Sequence, residues 1–231
     1  MVSQPLPSPT LASLGGVLPE YGKFRFDLTL DAARKAIGNR PDLTNPAHTA
    51  RLRVWLNQWT CRIGYPRPGQ ADVFAESLAI WWASARDTLP PGGQGLAQLT
   101  NAQLGAVSRA YAELYQRPAA VSRAGRTRGI GPTAAAKLLY FVRPLAITAW
   151  DRAISTRTGG GHDEQAFLAH LTVCRGWAED LEAEGRSLGL KPGEIGRYLN
   201  RPASSVAKLI DEWLYATITG GLPAATGGRL T

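Results

Sequence analysis

Cysteine, histidine and long apolar runs are what this chain has least of. Its 231 residues include two cysteines, Cys61 and Cys174, far apart in sequence and too few for a four-cysteine zinc or iron–sulfur centre. They are expected as free thiols in a reducing cytoplasm. The three histidines, His48, His162 and His170, show no ligand spacing, and His162-Asp163 gains no metal-binding meaning from its neighbours. No metal and no cofactor is therefore expected. No window approaches the run of about 20 apolar residues that spans a bilayer, and the first residues carry no basic flank before their weakly apolar stretch, so neither membrane insertion nor secretion is expected. No helical segment combines a lysine-rich face with a lipid-facing stripe, which argues against a membrane-surface role. Alternating segments joined by a hairpin turn are missing too, and with them any argument for a sheet. There is no internal repeat.

What is present is apolar material and positive charge. Hydrophobic residues make up 44% of the chain, ample for a core. Lys and Arg number 26 against 18 Asp and Glu, a net charge of +8, which favours a polyanionic partner, nucleic acid first, through steering and counterion release. Residues 1–22, with Pro5, Pro7, Pro9, Pro19, Gly15 and Gly16, read as an extended arm. From there to residue 219 the apolar spacing is helical: Leu28 to Ile37, Ala50 to Cys61, Ala71 to Ala85, Leu96 to Tyr115, Pro132 to Val142, Glu164 to Glu184 and Ser204 to Ile218. Gly and Pro clusters at 64–66, 90–93 and 159–161 punctuate these segments, and residues 220–231 read as a fraying tail. The fold class is all-α.

The stretch 126–142 carries the chemistry. Gly129-Ile130-Gly131 stands directly before a helix opening on Pro132, and proline at the first helical position is expected to leave the turn's amides pointing outward. Two glycines allow a phosphate close to the backbone, and the helix start adds unpaired N–H groups. Taken alone, a Gly-x-Gly turn also serves to join two helices. After the helix, a link through Arg143-Pro144 leads to Asp151, 20 positions past Gly131.

This pattern of hairpin glycines, a helix of small and apolar residues, a proline loop and an aspartate opening the next helix resembles the helix-hairpin-helix DNA glycosylase superfamily. Gly129, Ile130, Gly131, Ala134, Pro144 and Asp151 carry the resemblance. A weaker match is Val54 to Cys61, which looks like the family's early helix, where a leucine and a glutamine-containing turn feed a residue into the space left by an extruded base. The likeness covers roughly residues 45–160 and implies a two-lobed fold with a DNA-binding cleft between the lobes, the hairpin at 126–142, the aspartate loop at 143–156 and further helices at 163–218.

The resemblance assigns Asp151 the catalytic role: stabilising the positive charge that develops on the sugar and orienting or deprotonating water. Asp151 also suits the N-cap of a helix at Arg152 to Thr156, and the two roles are compatible. Family members that cleave the backbone carry a lysine two positions after the second glycine. Here that position is Thr133, which implies a monofunctional glycosylase. Lys137, one turn on, is left as a displaced amine, a phosphate contact or a snorkelling surface lysine. Expected DNA contacts are Arg126, Arg128, Gly129, Gly131, Thr133, Lys137, Asn57 and Gln58, with Arg123 beside them; the arginines would otherwise be a solvated linker cluster. Of seven tryptophans, Trp81, Trp82 and Trp213 read as packing, and Trp150, Trp55 and Trp59 as pocket walls.

Two functions stand. One is a cytoplasmic, monomeric glycosylase acting in base-excision repair or against phages with modified bases. The other is a non-catalytic DNA-binding protein using the hairpin together with residues 189–210, which resemble a helix-turn-helix with a turn at Asn200 to Pro202 and a second helix capped by Ser204, or else two packing helices.

Overall fold

The computed structural model describes residues 6–21, 26–38, 40–122, 124–158, 160–191 and 193–220. Ten helices and one small sheet are described: α1 (Leu11–Tyr21), α2 (Phe26–Ile37), α3 (Pro46–Gln58), α4 (Val73–Ala85), α5 (Asn101–Gln116), β1 (Pro118–Val121), β2 (Thr127–Gly129), α6 (Pro132–Val142), α7 (Arg152–Thr158), α8 (Glu164–Ser187), α9 (Ile195–Tyr198) and α10 (Val206–Leu214). A 3₁₀ turn at Leu96–Gln98 precedes α5, and a π-helical turn at Tyr215–Thr219 extends α10. Among the described residues no helix is long and apolar enough to cross a membrane.

The helix starts follow local chemistry. Asn45 accepts from the Ala47 amide at 2.9 Å ahead of Pro46, and Thr100 with Gln103 forms a reciprocal capping box at α5. Asp163 accepts from the Ala166 amide at 2.8 Å at the start of α8. Asp72 caps α4 through the Ala75 amide while pairing with the buried Arg53, so one carboxylate both starts a helix and neutralises a charge below it. The Arg53 pairing lowers the Asp72 pKa against the burial that raises it.

Three expectations are corrected. The arm is helical from Leu11: Leu11, Leu14, Val17 and Leu18 are buried on one face, Thr10 and Ser13 cap each other, and Glu184 of α8 accepts from the Leu11 amide at 2.9 Å. Pro19 is tolerated near the end of α1, and burial of this stripe outweighs the breaks that the prolines suggest. Secondly, a two-stranded antiparallel sheet joins α5 to α6, with an irregular register between Pro118 and Ala120. Its strands, Pro-Ala-Ala-Val and Thr-Arg-Gly, are too short to show alternation. Thirdly, of the two readings of residues 189–210 the packing one holds among the described residues, and the recognition-helix one with its Ser204 cap does not. α9 is a single turn, the cap of α10 is Ser205 and not Ser204, and residues 207–214 are all buried, so α10 is a core helix packed on α1 and α8. The tail from residue 221, and Arg123, lie outside the described residues.

One apolar cluster runs from Leu11 to Ala216 and links every helix that borders the hairpin and Asp151. α6 is buried from Ala134 to Val142, and α5 packs along it. The link that follows is buried from Ala146 to Trp150, so Asp151 emerges at a place set by the core.

Candidate active site

The hairpin is built on backbone constraints. Gly131 has φ 83°, a conformation that side chains resist, and a Cβ at Gly129 would stand 3.2 Å from the Tyr115 carbonyl oxygen at the end of α5. The Ile130 amide donates to the Arg117 carbonyl at 2.8 Å and the Gly131 amide to that of Tyr115 at 3.0 Å, while the Ile130 side chain is buried. These two amides therefore tie the turn to α5 instead of pointing outward, a correction to the cradle expected from the sequence. The amides left for an anion are those of Thr133 and Ala134, which in the first turn of α6 have no carbonyl within the helix to bond. Arg126 and Arg128 are exposed on the hairpin.

From this helix start a continuous surface leads to Asp151. One groove is lined by Trp59, Thr60, Arg128, Gly129 and Thr133; the adjoining one by Trp59, Thr60, Thr133, Lys137, Asp151 and Tyr215. Thr133, Trp59 and Thr60 belong to both. Asp151 is half-buried: its Oδ1 accepts from the Ile154 amide at 2.9 Å and its carbonyl from Ser155 at 2.8 Å, so it caps α7. Among the described residues no hydrogen bond engages Oδ2, and the residue borders both the groove and a deeper pocket.

That pocket draws its walls from both ends of the chain. α3 supplies Trp55 and, just past its end, Trp59; α6 supplies Lys137 and Tyr140; α1 and α10 supply Tyr21, Lys208 and Asp211, with Tyr215 following α10. Its free interior is about 20 Å³, space for little more than a water. The Lys137 ammonium lies 3.8 Å from the Trp59 ring centroid and has no hydrogen-bond partner among the described residues. Burial drives its pKa down, against the opposing pull of Asp211, Cys61 and Asp151. Lys208 is its counterpart with partners: it donates to Tyr21 Oη at 3.1 Å and to Asp211 at 3.0 Å, and Glu212 lies 3.8 Å away, itself paired with Arg201 at 2.7 Å.

Not every anticipated residue is placed for DNA or a base. Asn57 holds the loop that follows α3, its Nδ2 donating to the Ile63 carbonyl at 2.9 Å and its Oδ1 accepting from the Ile63 amide at 2.6 Å, so its amide is spent on the fold. Gln58 is exposed and borders neither the groove nor the pocket. Trp150 is 1% exposed, packed against Phe167 and stacked on His170, and it offers no face for a base. Trp55, packed on Phe141, is equally enclosed. Trp59 is the one of the three with a partly exposed ring. Lys137 is buried, which removes the surface-lysine reading.

Tyr21, Tyr140, Lys208, Asp211 and Tyr215 are pocket residues that the sequence reading did not name. Lys208 and Asp211 carried a signal, an i, i+3 charge pair beside Glu212 in a helix whose other residues are apolar. His162 and His170 serve packing: His162 meets Ser155 Oγ at 3.1 Å and His170 meets Thr148 Oγ1 at 2.9 Å, and burial pushes the His170 pKa down to about 3. Among the described residues no group of three metal-ligating side chains is found.

Set beside known proteins, the chain matches no family model, no curated protein and no solved structure.

Proposed function

We propose that this protein is a DNA glycosylase of the helix-hairpin-helix kind, working as a cytoplasmic monomer with the duplex in a cleft, that extrudes one base and hydrolyses its N-glycosidic bond. The observation that carries the reading is the shared surface on which the α6 start, Trp59 and Asp151 meet at the mouth of an aromatic pocket. A strand whose phosphate rests at Thr133 and Ala134 brings the neighbouring sugar toward Asp151. The base must leave the stack to be reached, and the pocket behind Trp59 is where it goes once that side chain gives way.

In the reaction the bond between base and C1′ breaks with its electron pair leaving on the base. Positive charge grows on the sugar, and the free oxygen of Asp151 stabilises it. Water adds to C1′ and yields its proton to Asp151, and that proton, passed on directly or through solvent, neutralises the departed base anion, leaving an abasic sugar, a free base and Asp151 ionised again. Thr133 brings no amine, so water is the nucleophile in this scheme. Repair of damaged bases and attack on modified phage bases share this chemistry and differ in the base accepted.

The test is mass-spectrometric detection of free bases released from damaged and phage-modified DNA by wild type and Asp151→Asn. Asparagine caps a helix as well as aspartate, so the variant keeps α7. Release by wild type, lost in a variant that still binds DNA, supports the enzyme. DNA binding without release from any substrate means a non-catalytic binding protein that relies on the hairpin, since α10 is unavailable to a groove.

A further inference from the structure

The pocket has donors to spare. Lys137 is 94% buried by its 6% exposure and makes no hydrogen bond among the described residues. Two further residues lining the same pocket, Trp55 and Trp150, hold buried indole N–H groups for which the protein provides no acceptor. Buried donors are nearly always satisfied, and leaving several unmet around one cavity costs stability for no structural return. Lys208 shows the alternative in the same pocket, its ammonium engaged by Tyr21 and Asp211.

Resting on the glycosylase reading above, we propose that the base this pocket takes is a neutral one with a carbonyl-rich edge, an oxidised or deaminated base, and not a cationic alkylated one. Carbonyl oxygens and ring nitrogens accept from the Lys137 ammonium, the cationic donor of this pocket that has no hydrogen bond among the described residues. A base alkylated to a cation would have to share the Trp59 face with the ammonium already 3.8 Å from its centroid. Two cations beside one aromatic ring repel, whereas a neutral oxo-base can bring its carbonyl edge up to the ammonium where it stands and accept its hydrogen bond. A neutral base without carbonyls, such as an etheno-adenine, leaves the donors unmet. Sites built to hydrogen-bond a group discriminate strongly against ligands that lack it.

The experiment uses duplexes with a single uracil, hypoxanthine, 8-oxoguanine, 7-methylguanine or 1,N6-ethenoadenine. Binding is measured by competition with the Asp151→Asn protein, which holds the base without turnover, and base release with wild type. The expected result is binding of the three oxo-bases at least about tenfold tighter than of the other two, with the preference gone when Lys137→Met is added. Equal binding across the panel, or preference for 7-methylguanine, overturns the inference. The two readings fail separately. Release of every base alike leaves the glycosylase standing and removes the oxo-base preference; a binding preference with no release keeps the preference and removes the hydrolysis. A preference that survives Lys137→Met also overturns it, because the donors named would then not be the cause.

Discussion

Replacing Lys137 by methionine should make the protein more stable while it destroys selectivity. Methionine keeps the length and most of the volume of the lysine stem, so packing along α6 changes little. What is removed is the ammonium of a largely buried lysine that makes no hydrogen bond among the described residues. The effective cost of burying an unpaired ion is several kcal/mol. The contact with Trp59 returns roughly 2 kcal/mol in a desolvated setting. The balance is a gain of about 1–3 kcal/mol, and each kcal/mol moves the Tm of a chain of this size by about 2–4 °C. The pH dependence gives a second check. Burial lowers the folded pKa of Lys137 below its ordinary value near 10.5, so the unfolded chain binds that proton more tightly and wild-type stability rises as pH climbs toward the unfolded value. The advantage of the variant should therefore be largest near neutrality and shrink in alkali. Thermal unfolding of both proteins near pH 7 and near pH 10 reads this directly. A variant melting lower than wild type at neutral pH, by more than about 1 kcal/mol, would refute the reasoning, because the ammonium would then have to be held by partners.

Other outcomes follow from the same geometry. Asp151→Asn should lower the rate of base release by about 10²–10⁴ with DNA affinity and melting temperature retained, as read by single-turnover assays beside binding and calorimetry. His170 is neutral in the fold with a pKa of about 3 against an ordinary 6.5, so the unfolded chain takes up a proton the folded chain refuses. Stability should fall as pH drops from about 6.5 toward 3, by an upper bound of roughly 4–5 kcal/mol, and His170→Gln should flatten that slope in acid denaturation curves. Borohydride added during the reaction should trap no protein–DNA adduct. An adduct that maps to Lys137 would show the buried amine attacking C1′ and would remove water as the nucleophile.

Much of the helical framework is legible in the apolar spacing, because α3, α4 and α8 each bury a stripe that a local N-cap bounds, and α6 is an apolar run opened by Pro132. α6 runs over Pro132–Val142, the same residues that the spacing marks. The neighbourhood of hairpin and aspartate is also legible, since helix and link together span a fixed distance through the core. The destination of the turn's amides is not: Ile130 and Gly131 donate to α5 through a small sheet that no alternation announces. α1 is hidden behind its prolines, whose breaking tendency is local while the burial that overrides it comes from α8 and α10. The pocket floor is least legible of all, because Tyr21 and Lys208 meet across 187 residues and nothing in either segment alone points to the other.

That meeting has a consequence for the newly made chain. α1 leaves the ribosome before α8 and α10, and its apolar face has no seat until those two have been synthesised, so an element that lines the pocket is made before its partners and docked late. A contact of such long sequence separation also makes for slow folding. The hairpin and Asp151, by contrast, lie close together in the chain and can form a local unit sooner. A partly made chain would hold its hairpin and Asp151 together before it holds the pocket beside them, and the order of synthesis thereby keeps that pocket incomplete until α10 has emerged.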